Sequence, residues 1–246
     1  MFSFIGLEIS EAAEKLFHLL YTPEFDIDRL RKELESGMYD PDCVNIAAIE
    51  YVTECCGNRC ESDYGDYPKK YGETVPGYEN SHVTEAVELL LDYGLDPNRV
   101  YPELNSEGKT VDYSNIMDQL FFVNNGYQAA DSLYLMLSHG GNPNLLLGSS
   151  PLILEPEWHV EFEIREREDI DDFAFDALIH YWLVLIGFGA GWGDGKQSVE
   201  PVGNFDISLL RNHRDYYYGI IHTKESHDGW QLCIFDRHMN LEVARF

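Results

Sequence analysis

Basic residues are scarce in this chain: 17 Lys and Arg stand against 44 Asp and Glu in 246 residues, a formal net charge of −27. A field of that sign repels phosphate backbones and anionic lipid heads, so direct contact with nucleic acid or with an acidic membrane surface is not expected. Long apolar runs are missing as well. The longest, Tyr181 to Phe188, is too short to span a bilayer. The opening stretch has no basic region, and Glu8, Glu11 and Glu14 interrupt its apolar positions, so it reads as an amphipathic helix and not as a signal peptide. Cysteine is limited to Cys43, Cys55, Cys56, Cys60 and Cys233. An odd number without an export signal fits reduced thiols, and the expected location is cytoplasmic.

Signatures of catalysis and of bound groups are absent too. The cluster Cys55, Cys56 and Cys60 lacks the second ligand pair that zinc requires, and it reads as core thiols at a helix end. The glycine-rich run from Gly187 to Gly195 follows a helix and lacks the strand–loop–helix order and the lysine of a phosphate loop, so it reads as a helix cap and exit turn. His213, His222, His227 and His238 in the tail show no metal or acid–base spacing, and no Gly-x-Ser-x-Gly elbow occurs. No cofactor, no metal and no enzymatic activity are expected.

The chain does contain the material for a core, with 44% hydrophobic and 13% aromatic residues. It also contains a repeated phrase. Leu89-Leu-Leu-Asp-Tyr-Gly94-Leu-Asp-Pro-Asn98 returns as Leu135-Met-Leu-Ser-His-Gly140-Gly-Asn-Pro-Asn144, with looser copies at Glu33 to Asp42 and Val184 to Trp192. Each copy has the same physical content: an apolar helix ends, glycine takes the left-handed cap, and proline in all but the last copy forbids continuation. Apolar periodicity marks helices around Leu16–Leu20, Ile27–Leu34 (capped by Asp26), Val44–Val52, Val83–Leu91 (opened by Ser81), Ile116–Val123, Ala130–Leu137 and Phe173–Ile186. The tail changes period. Tyr216–Thr223, Trp230–Phe235 and Leu241–Phe246 read as three antiparallel strands.

The Gly-Leu-Asp-Pro-Asn and Gly-Gly-Asn-Pro-Asn phrases resemble the end of an ankyrin repeat, and Ser150-Pro151-Leu152 is similar to the Thr-Pro-Leu that opens such a repeat's inner helix. The capping glycines lie further apart than the unit of about 33 residues, which places insertions at about 57–80, 99–111 and 145–170. The fold expected from the resemblance is mostly α (α+β overall): an irregular ankyrin-like stack of antiparallel helix pairs over residues 1–204, and a small three-stranded antiparallel β cap over 205–246 packed on the repeats.

Ankyrin arrays bind proteins without catalysis, and a small, very acidic chain of this type is similar to immunity proteins that neutralise a toxin. The expected partner is therefore a basic protein such as a nuclease toxin, with no direct nucleic acid and no membrane. Two segments carry the candidate contacts. The first insertion supplies Tyr64, Asp66, Tyr67, Tyr71 and Tyr78, whose tyrosines are rigid amphipathic anchors of the kind interfaces favour. The acidic stretch supplies Glu155, Glu157, Trp158, Glu161, Glu163, Glu166, Glu168, Asp169, Asp171 and Asp172. The alternatives are a solvated acidic face and a loop folded onto its own scaffold. Two other functions stay open: a nucleic-acid mimic that blocks DNA-binding enzymes, and a small hydrolase using the C-terminal histidines.

Overall fold

The computed structural model describes residues 9–22, 24–57, 82–104, 107–121, 126–153, 172–191, 199–222 and 230–246. Within them the chain combines α-helices with small antiparallel sheets. The helices are α1 (Glu11–Leu20), α2 (Ile27–Glu35), α3 (Pro41–Gly57), α4 (Val83–Asp92), α5 (Ile116–Phe121), α6 (Gly126–Ser138) and α7 (Asp172–Gly187). The strands are β1 (Val100–Leu104), β2 (Thr110–Asn115), β3 (Leu146–Leu147), β4 (Ser150–Pro151), β5 (Glu200–Pro201), β6 (Tyr216–His222), β7 (Trp230–Asp236) and β8 (Leu241–Arg245). The described residues up to Asn142, with Leu147–Ser149, form one compact unit; those of Pro143–Leu146 and from Ser150 onward form a second.

Local chemistry sets the helix starts. The Ser10 hydroxyl accepts the Ala13 N–H at 3.1 Å, and the Asp26 carboxylate accepts from Asp28 and Arg29 at 3.0 and 3.1 Å. Pro41 opens α3, where its missing N–H costs nothing, and Asp40 accepts the Cys43 N–H at 2.8 Å. Helix α4 begins differently from expectation. Its cap is His82, which makes no side-chain cap bond; the ring stacks on Phe25 at 4.8 Å instead. Ser81 lies outside the described residues.

The helix ends repeat one device. After α4, α6 and α7, the N–H of Gly94, Gly140 and Gly189 bonds back three residues to Leu91, Leu137 and Ile186. The next N–H bonds back five, to Leu90, Met136 and Leu185. That is the Schellman closure, which needs a left-handed residue. The three glycines supply it with φ of +99°, +94° and +88°.

In the first unit, α3 packs against both α1 and α5, and α4 packs against both α2 and α6. Odd-numbered helices thus form one row and even-numbered helices a second. Leu16, Val44, Ala47, Val87, Leu90, Met117, Leu120 and Leu133 on these helices are buried. The hairpin β1–β2 precedes α5, with Tyr101 opposite Ser114 and Glu103 opposite Asp112. Residues 99–111, read from the sequence as a loop or short hairpin, contain β1 and the start of β2.

In the second unit, Tyr181 to Ile186 of α7 are buried all round. The helix packs against two short 3₁₀ turns, Ile207–Arg211 and His213–Asp215, and against β6. The tail sheet has the order β5-β8-β7-β6. The three strands read from the sequence are present, and β5 adds a fourth at the β8 edge. Two residues ending in proline give too little alternation to be read as a strand.

Candidate functional site

The asparagines of the repeated phrase tie consecutive turns together. The Asn98 amide donates to the Gly140 carbonyl at 3.0 Å and accepts from the Asn142 N–H at 2.7 Å. In the second unit, Asn144 treats Gly189 and Gly191 in the same way, at 3.2 and 2.9 Å. The first copy has Asp42 at this position. There Asn45, one turn further into α3, donates to Gly94 at 2.9 Å and accepts from Asp96 at 2.8 Å. Each asparagine satisfies the carbonyl of a capping glycine and the N–H two residues on, so one amide fixes a whole turn. Asn115 completes the frame around the hairpin: it donates to Pro97 and Arg99 and accepts from Met117.

That frame holds a cluster of charged and aromatic side chains at the hairpin of the first unit. Arg99 pairs with Asp42 and lies over the Tyr101 ring, 5.2 Å from its centroid. The Tyr101 ring is buried against Ile49. Burial pushes its phenol up to about 12, with Asp42, Asp96 and Glu50 pushing the same way and Arg99 opposing. Tyr101 is therefore a neutral phenol across the physiological range. On the same face of the hairpin, Glu103 lies opposite Asp112. Burial raises the Glu103 carboxyl first and Asp112 raises it further, against the Ser114 hydroxyl. Like charges directly opposite destabilise a strand pair. Asp42 and Asp96 thus bear on Tyr101 and Asp112 on Glu103, while Arg99 pairs with Asp42 and Lys109 with Glu107. Val111 and Tyr113 of β2 are 62% and 42% exposed, and Tyr113, on the opposite face of the hairpin from Asp112, packs over Gly148.

A second constellation is buried in the other unit. His180 in the middle of α7 and His213 in a 3₁₀ turn bring their Nδ1 atoms to 3.1 Å, and Asp176 lies 3.5 Å from His180 Nε2. Both rings are buried. One Nδ1 must donate and the other accept, so the pair holds a proton between them. Such an arrangement joins α7 to the turn; its burial keeps it from solvent.

The residues picked from the sequence fall mostly elsewhere. Tyr64, Asp66, Tyr67, Tyr71, Tyr78, and the stretch Glu155 to Asp171 lie outside the described residues, and Asp172 is the first residue of α7. Cys43 and Cys233 are buried free thiols, and Cys55 and Cys56 lie in the last turn of α3. Among the tail histidines, His238 is exposed in the β7–β8 turn, 3.5 Å from Asp215, and His222 ends β6. His213 joins a cluster, with a partner, His180, that the sequence did not single out; His227 lies outside the described residues. Asp176 precedes His180 by one helical turn, which was the only sequence signal for it. No group of three or more metal-ligating side chains occurs among the described residues, and no described helix is long and apolar enough to cross a membrane. No protein-family model, curated protein or solved structure matches the chain.

Proposed function

We propose that the chain is a non-catalytic, cytosolic docking module, a degenerate ankyrin-like stack whose anionic surface binds a basic protein in the way an inhibitor or immunity protein binds its toxin. The observation that carries the reading is charge. Solubility of a small domain needs a net charge of about 2–8, and this chain carries −27. That excess costs self-repulsion. A partner bearing Lys and Arg relieves it and gains rate from the same field.

The hairpin supports the reading on a local scale. Glu103 and Asp112 face each other at a cost to the strand pair, and a lysine or arginine from outside removes that cost. The ankyrin-like part of the proposal is supported by the alternating helix rows, the Schellman glycines and the asparagine ties.

The test uses purified basic nuclease domains as probes. Binding is expected to be fast, and the paired change Glu103→Gln with Asp112→Asn is expected to lower the association rate by roughly two- to fivefold at low salt while the dissociation rate changes less. Equal rates for wild type and variant would remove the hairpin from the docking face. Competition with DNA for several unrelated DNA-binding probes would favour a nucleic-acid mimic instead.

A further inference from the structure

We propose that the buried pair His180 and His213 is an acid-sensitive latch, which holds α7 on the two 3₁₀ turns when closed and releases the helix on acidification. The latch works without a partner and does not depend on the docking proposal.

The two rings come from different elements, His180 from the middle of α7 and His213 from the second 3₁₀ turn. They are 1% and 3% exposed. Their Nδ1 atoms stand 3.1 Å apart, and the ring planes cross at 71°. The helix and the turns meet at backbone distance, with no room for a methyl group between Gly187 and Arg211. Packing this close leaves no space for the rings to part while the helix stays seated.

The latch follows from counting protons on four ring nitrogens. Two neutral imidazoles carry two N–H groups, and the contact needs one of them, and only one, on an Nδ1. Asp176 lies 3.5 Å from His180 Nε2 and draws an N–H there. His180 then accepts at Nδ1 and His213 donates. A third proton fits: one ring becomes an imidazolium that donates through Nδ1, the other ring accepts, and Asp176 stands beside that single charge. A fourth proton does not fit. It puts an N–H on both Nδ1 atoms and two like charges on buried rings. The open form has no such limit, because each solvated imidazole takes its own proton near pH 6.5, the ordinary histidine value. Below that pH the open form binds about one proton more than the closed one. The latch therefore adds stability above this range and loses it as pH falls.

The other groups on the packed elements leave the effect to the pair. Arg211, Arg214 and Asp215 of the turns are exposed. Tyr181 of α7 and Tyr216, Tyr217 and Tyr218 of β6 are phenols, a class that titrates far above this range. Asp172 opens α7 two turns before His180, and His222 ends β6.

The experiment is hydrogen–deuterium exchange of the full chain at pH 6.5 and pH 5.0, each corrected for the intrinsic exchange rate. Protection of α7 is expected to fall roughly tenfold between the two, the factor that one excluded proton gives over this interval. Protection of α3 and α4 in the first unit should change little. His213→Asn keeps an amide that donates or accepts in place of Nδ1 and removes one titrating ring, so its α7 should be equally protected at both pH values. Unchanged α7 protection in wild type, a loss shared equally by α3 and α4, or the same tenfold loss in His213→Asn overturns the proposal. Nitrogen-15 NMR of the wild-type imidazoles at pH 5.0 keeps the test sound if His213→Asn fails to fold. The closed chain should show at most one imidazolium in the pair, and two imidazolium rings with α7 still protected overturn it.

Discussion

At each of Asn45, Asn98 and Asn144 a single side-chain amide serves two backbone groups of another turn, and the effect of removing it depends on what replaces it. Asn45 is buried, so Asn45→Ala leaves Gly94 and Asp96 with unsatisfied groups away from water. The expected loss is about 2–3 kcal/mol. Asn98 makes the same two bonds in an exposed turn where water can substitute, and Asn98→Ala is expected to cost about 1 kcal/mol. Urea unfolding of both variants checks the difference, and equal losses would contradict the burial argument. Glu103 offers a pH test. Its carboxyl is held above the ordinary glutamate range by burial and by Asp112. The folded state therefore disfavours the ionised form, and stability is lost as pH rises from the unfolded glutamate value, about 4.3, through the raised folded one. Glu103→Gln should then raise stability at pH 7 by a few tenths of a kcal/mol to about 1 kcal/mol, and change it little at pH 3.5. A loss at pH 7 would mean that the Ser114 contact outweighs the repulsion.

Two glycines of one helix end separate conformation from packing at the scale of an element. Gly189 needs its positive φ but has nothing within 4 Å of an added Cβ, so Gly189→Ala should cost about 1–2 kcal/mol. Gly187, two residues earlier, lies where α7 meets the 3₁₀ turn, and a Cβ there would stand 2.1 Å from the Arg211 backbone nitrogen. Gly187→Ala should cost about 3 kcal/mol or more, by forcing the helix off the turn. Thermal unfolding ranks the two, and the reverse order would contradict the packing. The sequence predicted the first effect and missed the second. Helix ends at Gly94, Gly140 and Gly189 were legible because cap and proline chemistry acts within a few residues. The close approach of Gly187 to Arg211, the His180–His213 pair and the tie from Asn45 to Gly94 join residues that are remote in sequence, and no local pattern records them. The candidate site was legible only in kind. A loop or short hairpin was readable at 99–111, but the opposition of Glu103 and Asp112 depends on a register that shifts between Glu103 and Leu104. The tyrosines of the first insertion and the acids from Glu155 to Asp171 lie outside the described residues.

For the whole molecule the governing quantity is the −27 net charge. Self-repulsion is screened by salt, with a Debye length falling from about 30 Å at 0.01 M to about 10 Å at 0.1 M. The isolated chain is thus expected to unfold at a higher temperature in 0.1 M salt than in 0.01 M, and an unchanged midpoint would mean that its carboxylates are already neutralised by local pairing. The same field sets the encounter with a partner. The most direct measurement is the association rate of the full chain with a basic nuclease domain, followed by stopped flow from 0.02 to 0.5 M salt. Docking driven by charge predicts a rate that falls by roughly tenfold or more across that range; a rate that stays level would contradict it.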